Sequence, residues 1–148
     1  MRTYGQYRPI ARASEILTER WTPIIVRNLM AGCTTFGEIS AGAPGLSHSL
    51  LTQRLRLLER VGVIEARPKS RGRGVTYQLT HAGRDLSGIL WALHDWGEKW
   101  LELGDEHTNP ALVLWGLVHR LPGPGAAPRP TRGGAVQLRR PTPRGAAS

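Results

Sequence analysis

The chain has 148 residues, 40% of them hydrophobic and 21% charged, with a formal net charge of +9 at neutral pH. That length holds one compact domain and a tail, with little room for a second independent core, while the positive excess favours a polyanionic partner through attraction and counterion release. The longest apolar run, residues 111–115, is far short of a bilayer span, so a membrane protein is excluded.

Residues 1–13 are polar and basic, punctuated by Gly5 and Pro9, and lack the apolar stretch of a signal peptide. Cys33 is the single cysteine, which rules out a disulfide within the chain and fits a reducing compartment. A soluble, cytoplasmic protein is the expectation.

In chain order, residues 9–18 read as a first helix, with Ile10, Ala13, Ile16 and Leu17 at helical spacing and Arg12, Glu15 and Glu19 on the polar side. Residues 22–30 read as a second. Thr22 is its expected cap, Pro23 takes the first helical position, Ile24, Ile25, Leu29 and Met30 are core candidates, and Gly32 ends it. Thr35 opens a short helix over 36–41, closed by Gly42, Pro44 and Gly45.

Residues 45–61 form the next helix, from an N-cap at Ser47. Leu51, Leu55 and Leu58 make one face, and a 3.6-residue period sets Ser49, Gln53, Arg56 and Arg60 opposite. Short helix, glycine-containing turn and longer helix is the order of a helix-turn-helix. Gly62 stops the pattern, residues 63–68 and 75–80 read as two strands, and the loop between them is KSRGRG. Such a hairpin is a wing whose Lys69, Arg71 and Arg73 can meet phosphates or a minor groove. Gly72 and Gly74 in the same loop are a weak signal for a nucleotide-phosphate cradle, because a strand follows them and not a helix.

Charge is distributed accordingly. Residues 45–84 carry eight basic and two acidic side chains, whereas residues 85–121 carry two basic and six acidic ones. A nucleic-acid binder concentrates its charge in this way. On that basis Ser49, Gln53 and Arg56 are candidates for reading major-groove base edges, with His48 as a further contact, while Ser47, Lys69, Arg71 and Arg73 hold phosphate or minor groove. Arg54 lies toward the core flank and is assigned backbone contact at most.

Several motifs in order carry a family resemblance: Arg20-Trp21 before an apolar helix, Phe36-Gly37-Glu38-Ile39, the run Leu51 to Glu59 followed by Gly62, and Tyr77-Gln78-Leu79-Thr80 with Gly83. Over roughly residues 7–100 the chain resembles the HxlR-type winged helix-turn-helix transcriptional regulators of the MarR-like superfamily. The resemblance implies a mainly α fold with a small β-hairpin wing, dimerising through N- and C-terminal helices. It also implies a bacterial homodimer that binds a pseudo-palindromic operator in double-stranded DNA, with one recognition helix per half-site. Many members have a cysteine just before the proline of the first helix, and some sense electrophiles or oxidants through it. Here Arg8 holds that place. Cys33, in the turn after the second helix, reads as a small turn residue of no special reactivity.

From a cap at Thr80 a long helix is expected to run toward Leu103. Leu86, Ile89, Leu93, Trp96, Trp100 and Leu103 keep heptad spacing along it. This seam either packs within one subunit or, as the resemblance implies, forms a dimer interface with the first helix, so the candidate interface is Ile10, Leu86, Ile89, Leu93, Trp96 and Trp100. His94 and Glu98 stand one turn apart, but two ligands without a third do not make a metal site. His81, His107 and His119 add no ligand spacing.

Residues 108–121 read as one more helix, and the phrase GDEHTNPALVLW looks like the junction of longer family members that continue into a sterol-carrier-like domain. Residues 122–148 hold six prolines, five glycines, five alanines and five arginines without an acid, a composition that buries no core and is expected to be disordered. It reads either as a basic tail adding nonspecific DNA affinity or as a truncation remnant. The domain reading is thus 1–104 for DNA binding and dimerisation, 105–121 for a short helix and 122–148 for the tail. No cofactor fingerprint and no grouping of nucleophile, base and orienting residue is present, so an enzyme is not expected. The rival to a DNA-binding regulator is a winged-helix module for protein interaction or small-ligand binding, with incidental basic charge. A small-molecule effector, unidentified by the sequence, completes the partners considered.

Overall fold

The computed structural model describes Thr3, Gly5 and residues 8–102. The elements run α1 (Pro9–Leu17), α2 (Thr22–Met30), α3 (Phe36–Ala41), α4 (His48–Arg60), β1 (Ile64–Pro68), β2 (Val75–Leu79), α5 (His81–Asp85) and α6 (Ser87–Trp100). The expected helix over 108–121 and the tail at 122–148 lie outside the described residues. Ile25, Val26, Leu29, Ile39, Leu51, Leu55, Leu58 and Ile64 meet in one core, drawn from α2, α3, α4 and β1. β1 and β2 pair antiparallel in the register Ile64 with Leu79 through Pro68 with Val75.

Two helix ends use the same device. At the end of α2, Gly32 takes φ +100°, its N–H reaches Leu29 O, and the Cys33 N–H reaches Asn28 O at 3.1 Å. At the end of α4, Gly62 takes φ +77°, its N–H reaches Glu59 O, and the Val63 N–H reaches Leu58 O at 2.9 Å. Each closes with a left-handed residue and paired back-bonds, which fixes the exit direction and buries the following side chain, Cys33 or Val63.

Four expectations need correction. Thr22 does not cap α2: the N-cap is Trp21 at φ +76°, and Thr22 lies inside the first turn, where its buried Oγ1 has no hydrogen-bond partner among the described residues. The link between α1 and α2 is four residues long, and the left-handed Trp21 makes its turn. The strands are each one residue shorter than expected, because the Val63 N–H is used to close α4 and Thr80 caps α5 through a bond from the Gly83 N–H to its hydroxyl. The long C-terminal helix is interrupted at Leu86, whose N–H bonds to Gly83 O three residues back, one residue tighter than an α-helical bond. Glu15, placed on the polar side of the first helix, is buried, and accepts from Arg12 at 2.6 Å and Thr3 at 2.8 Å.

Candidate nucleic-acid interface

α4 forms where a hydroxyl can satisfy its first turn: the Ser47 Oγ accepts from the Leu50 N–H at 3.3 Å. Leu51, Leu55, Leu57 and Leu58 are buried along one side. Ser49, Gln53, Arg56 and Arg60 are exposed on the other, as their spacing predicts. Ser47 is exposed too, and its hydroxyl lies 3.4 Å from that of Ser49. His48 is exposed and packs its ring on Phe36 with centroids 4.5 Å apart, a tilted contact that orients the imidazole at the start of the helix. Arg54 does not join this row. Its Nη2 pairs with Glu19 Oε2 at 2.9 Å and its Nε donates to Arg20 O at 3.1 Å, toward the α1–α2 link.

The helix before it is fixed by a reciprocal cap. The Glu38 N–H bonds to the Thr35 hydroxyl, and one Glu38 carboxylate oxygen accepts from the N–H groups of Thr34 and Thr35 at 2.8 and 3.0 Å. Those backbone N–H groups hold the Glu38 carboxyl below the usual carboxylate range. Between α2 and the α3–α4 turn lies a polar pair that sequence reasoning missed. Buried Asn28 donates to Ile39 O at 3.0 Å, and Arg27 bridges Asn28 Oδ1 and Gly42 O, each at 2.9 Å through Nη2. The signal was Asn28 itself, a polar side chain at a core phase of α2, between Ile25 and Leu29. Burial lowers the pKa of the Arg27 guanidinium, against the nearby Cys33. Burial first, and then the Glu38 carboxylate, push the Cys33 thiol up to about 11, so at neutral pH it is a thiol and not the reactive thiolate.

The hairpin carries Lys69, Arg71 and Arg73 on residues 69–74, all exposed. The Lys69 N–H closes the loop on Gly74 O at 3.0 Å, and Gly72 and Gly74 supply φ of +82° and +107°. The loop is therefore a short tip that projects three cations. Arg67, two positions before it in β1, pairs with Glu65 at 2.6 Å. The base of the hairpin is anchored on both sides, by packing of α4 against β1 and by the Tyr77 N–H donating to Thr34 O at 2.7 Å. α4 and the hairpin are thus tied to the same core, and each presents hydrogen-bond donors and positive charge to solvent. Such a surface can bond base edges in a groove and neutralise phosphates beside it.

The remaining predicted site residues lie away from this face. Ile10 is 83% exposed, and Ile89, Leu93, Trp96 and Trp100 are exposed along α6, up to 65% for Trp100. Leu86 departs from that row: with Leu90 it packs on the hydrophobic core. His94 lies 3.2 Å from Asp95 and 3.8 Å from Glu98 on the surface of α6. Among the described residues no group of three or more His, Cys, Asp or Glu side chains could hold a metal, and no helix is long and apolar enough to cross a membrane.

Residues 16–105 match the family model described as HxlR-like helix-turn-helix. The uncharacterized HTH-type transcriptional regulator Rv3095 of Mycobacterium tuberculosis is 30% identical over 142 residues, covering 87% of this chain and 89% of the relative. The similarly described YvaP of Bacillus subtilis is 37% identical over 93 residues, 62% of this chain and 85% of its own. The crystal structure of PA1607 superposes with a TM-score of 0.64 at 34% identity, over 88% of this chain and 87% of that one. A winged helix-turn-helix with this charge distribution, matched over most of its described length, belongs to the HxlR-like helix-turn-helix family of DNA-binding transcriptional regulators.

Proposed function

We propose that the protein binds a pseudo-palindromic operator as a homodimer, laying one α4 in the major groove of each half-site. The observation that carries this reading is the division of α4 into a buried leucine face and an exposed row of Ser49, Gln53, Arg56 and Arg60. Gln53 and Arg56 have the donors and acceptors for base edges, Gln favouring adenine and Arg guanine, while Ser49 and His48 reach the groove from the first turn. Ser47 and the wing cations Lys69, Arg71 and Arg73 hold phosphate or the adjacent minor groove.

Dimerisation through α1 and α6 is supported by the apolar side chains they leave in water. Ile10, Ile89, Leu93, Trp96 and Trp100 on one small domain favour a partner surface, and a second copy supplies one by symmetry. A cytoplasmic location follows from a DNA-binding role, and the reading assigns the chain no enzymatic step.

Selection of bound duplexes from a random library tests the proposal. The expected result is two inverted half-sites with centres about one helical turn, roughly 10 base pairs, or a multiple apart. On the selected duplex Arg56→Ala is expected to cost about 1–3 kcal/mol, with little loss on random DNA. An equal loss on both would make Arg56 a phosphate contact, and a single unrepeated motif would overturn the dimeric reading.

A further inference from the structure

Arg54 sits in the middle of the recognition helix, between Gln53 and Arg56, yet its guanidinium is committed elsewhere. Its Nη2 lies 2.9 Å from Glu19 Oε2, its Nε donates to Arg20 O at 3.1 Å, and its side chain is only 16% exposed. Those partners belong to the link between α1 and α2, which has a second grip on α4. Trp21 is the only non-glycine residue with positive φ among those described, and its indole closes over the turn before α4: a Cβ built on Gly45 would lie 3.7 Å from Trp21 Cη2. The Arg20 guanidinium covers the indole at 5.5 Å from its centroid.

The link therefore holds α4 at Gly45, before its N-cap, and again at Arg54, midway along it. A left-handed backbone at a bulky residue is strained and persists only where the surroundings enforce it. Here the Arg54 bond to the carbonyl just before Trp21 is part of that enforcement. Arginine suits the position because its planar fork serves a carboxylate and a carbonyl at once, whereas an ammonium is a point charge without that geometry.

We propose that Glu19, the Arg20 carbonyl and Arg54 form a latch that sets the orientation of α4, so that Arg54 is a positioning residue for operator reading and not a DNA contact. The proposal rests on the reading that the exposed row of α4 meets DNA. With Glu19 neutralising Arg54, the basic potential at the interface comes from Arg56, Arg60 and the wing. Precision of docking, and not attraction, is what the latch supplies.

The test is fluorescence anisotropy with the full chain on a duplex selected from a random pool and on a random-sequence duplex, across a salt series and well below the unfolding temperature. Glu19→Gln removes a negative charge, so electrostatics alone would tighten binding. The latch instead predicts about tenfold weaker binding to the selected duplex and a smaller selected-to-random ratio. Arg54→Lys, which keeps the charge, is expected to behave alike, and the double variant to lose little more than either single one. The salt slope of Arg54→Gln is expected to stay at the parent value, since the side chain touches no phosphate. A slope smaller by about 0.9 would make Arg54 a phosphate contact and overturn the proposal. So would unchanged or tighter binding by Glu19→Gln where Arg56→Ala loses affinity for the selected duplex. If Arg56→Ala loses nothing either, the assignment of the α4 face itself fails, and the latch with it.

Discussion

The Cα of Gly83 faces the carbonyl oxygen of Val63 so closely that a Cβ would fall on that oxygen, and within 2.9 Å of Leu79 Cδ2. The same oxygen accepts from the Thr80 N–H and hydroxyl at 3.1 Å each, so α5 is seated directly on the junction between α4 and β1. Helix propensity favours alanine over glycine by about 1 kcal/mol in an unobstructed helix. Here the collision is with backbone, which cannot swing aside. Gly83→Ala is expected to destabilise by about 1–3 kcal/mol net, read as a Tm lower by roughly 4–8 °C per kcal/mol for a domain of this size. A variant as stable as the parent would mean that α5 is free to lift off Val63.

Asn28 joins α2 to α3 through Ile39 O and receives the Arg27 guanidinium. Asn28→Ala leaves the Ile39 carbonyl unpaired and opens a small cavity, for an expected loss of about 2 kcal/mol in urea unfolding. Asn28→Asp restores the acceptor for Arg27 but not the donor to Ile39. An aspartate variant at full parental stability would show that the Ile39 bond contributes nothing.

Cys33 is buried and its thiol is pushed up to about 11. In the window between the ordinary thiol value of about 8.5 and that folded value, the native state binds more protons than the unfolded chain. This contribution to stability is complete below the lower limit and is lost as pH rises toward the upper one. Denaturant titrations should therefore show a steeper alkaline decline for the parent than for Cys33→Ala. In native protein at neutral pH the thiol should also react with a maleimide far more slowly than in urea, and equal rates would contradict its burial.

In the proposed reading the wing meets DNA through charge, so its removal is to be read in salt dependence. Replacing Lys69, Arg71 and Arg73 together by alanine is expected to weaken selected and random duplexes alike, and to lower the log–log salt slope by about 0.9 for each phosphate that those cations neutralise. Weakening confined to the selected duplex would instead assign the wing to base reading.

Leu93 and Trp96 are 54% and 57% exposed on α6. Charged replacements there should leave the fold of the single subunit intact while opposing burial against a second copy. Sedimentation of Leu93→Glu and Trp96→Glu is expected to give half the parental mass with unchanged helical circular dichroism. A parental mass for both would overturn the proposed dimerisation through α6.

The order of elements was legible because each local signal is strong. Ser47, Thr35 and Thr80 are caps, Pro23 is an early helical position, Gly32 and Gly62 are stops, and the leucine period of α4 separates its two faces. These depend on residues within a turn or two of one another, so the chain itself determined three short helices leading to an amphipathic one, a basic hairpin and a downstream apolar helix. The exposed row of Ser49, Gln53 and Arg56 belongs to that part, since it follows from the period and a single buried face.

Tertiary structure alone decided which polar groups meet across the chain. Periodicity could place Arg54 on a flank, but not against Glu19 and the Arg20 carbonyl, more than thirty positions earlier. It could not distinguish Glu15, buried, from a solvated helix carboxylate, nor show that Thr22 enters the helix while Trp21 takes the left-handed turn. Leu86 kept heptad spacing with Ile89 and Leu93, yet it packs inward because α5 ends there and the backbone tightens by one residue. Helical period depends on the local backbone alone. Buried polar partners and the side of a helix that a core occupies depend on where distant segments are brought, and that is fixed only when the apolar faces have packed.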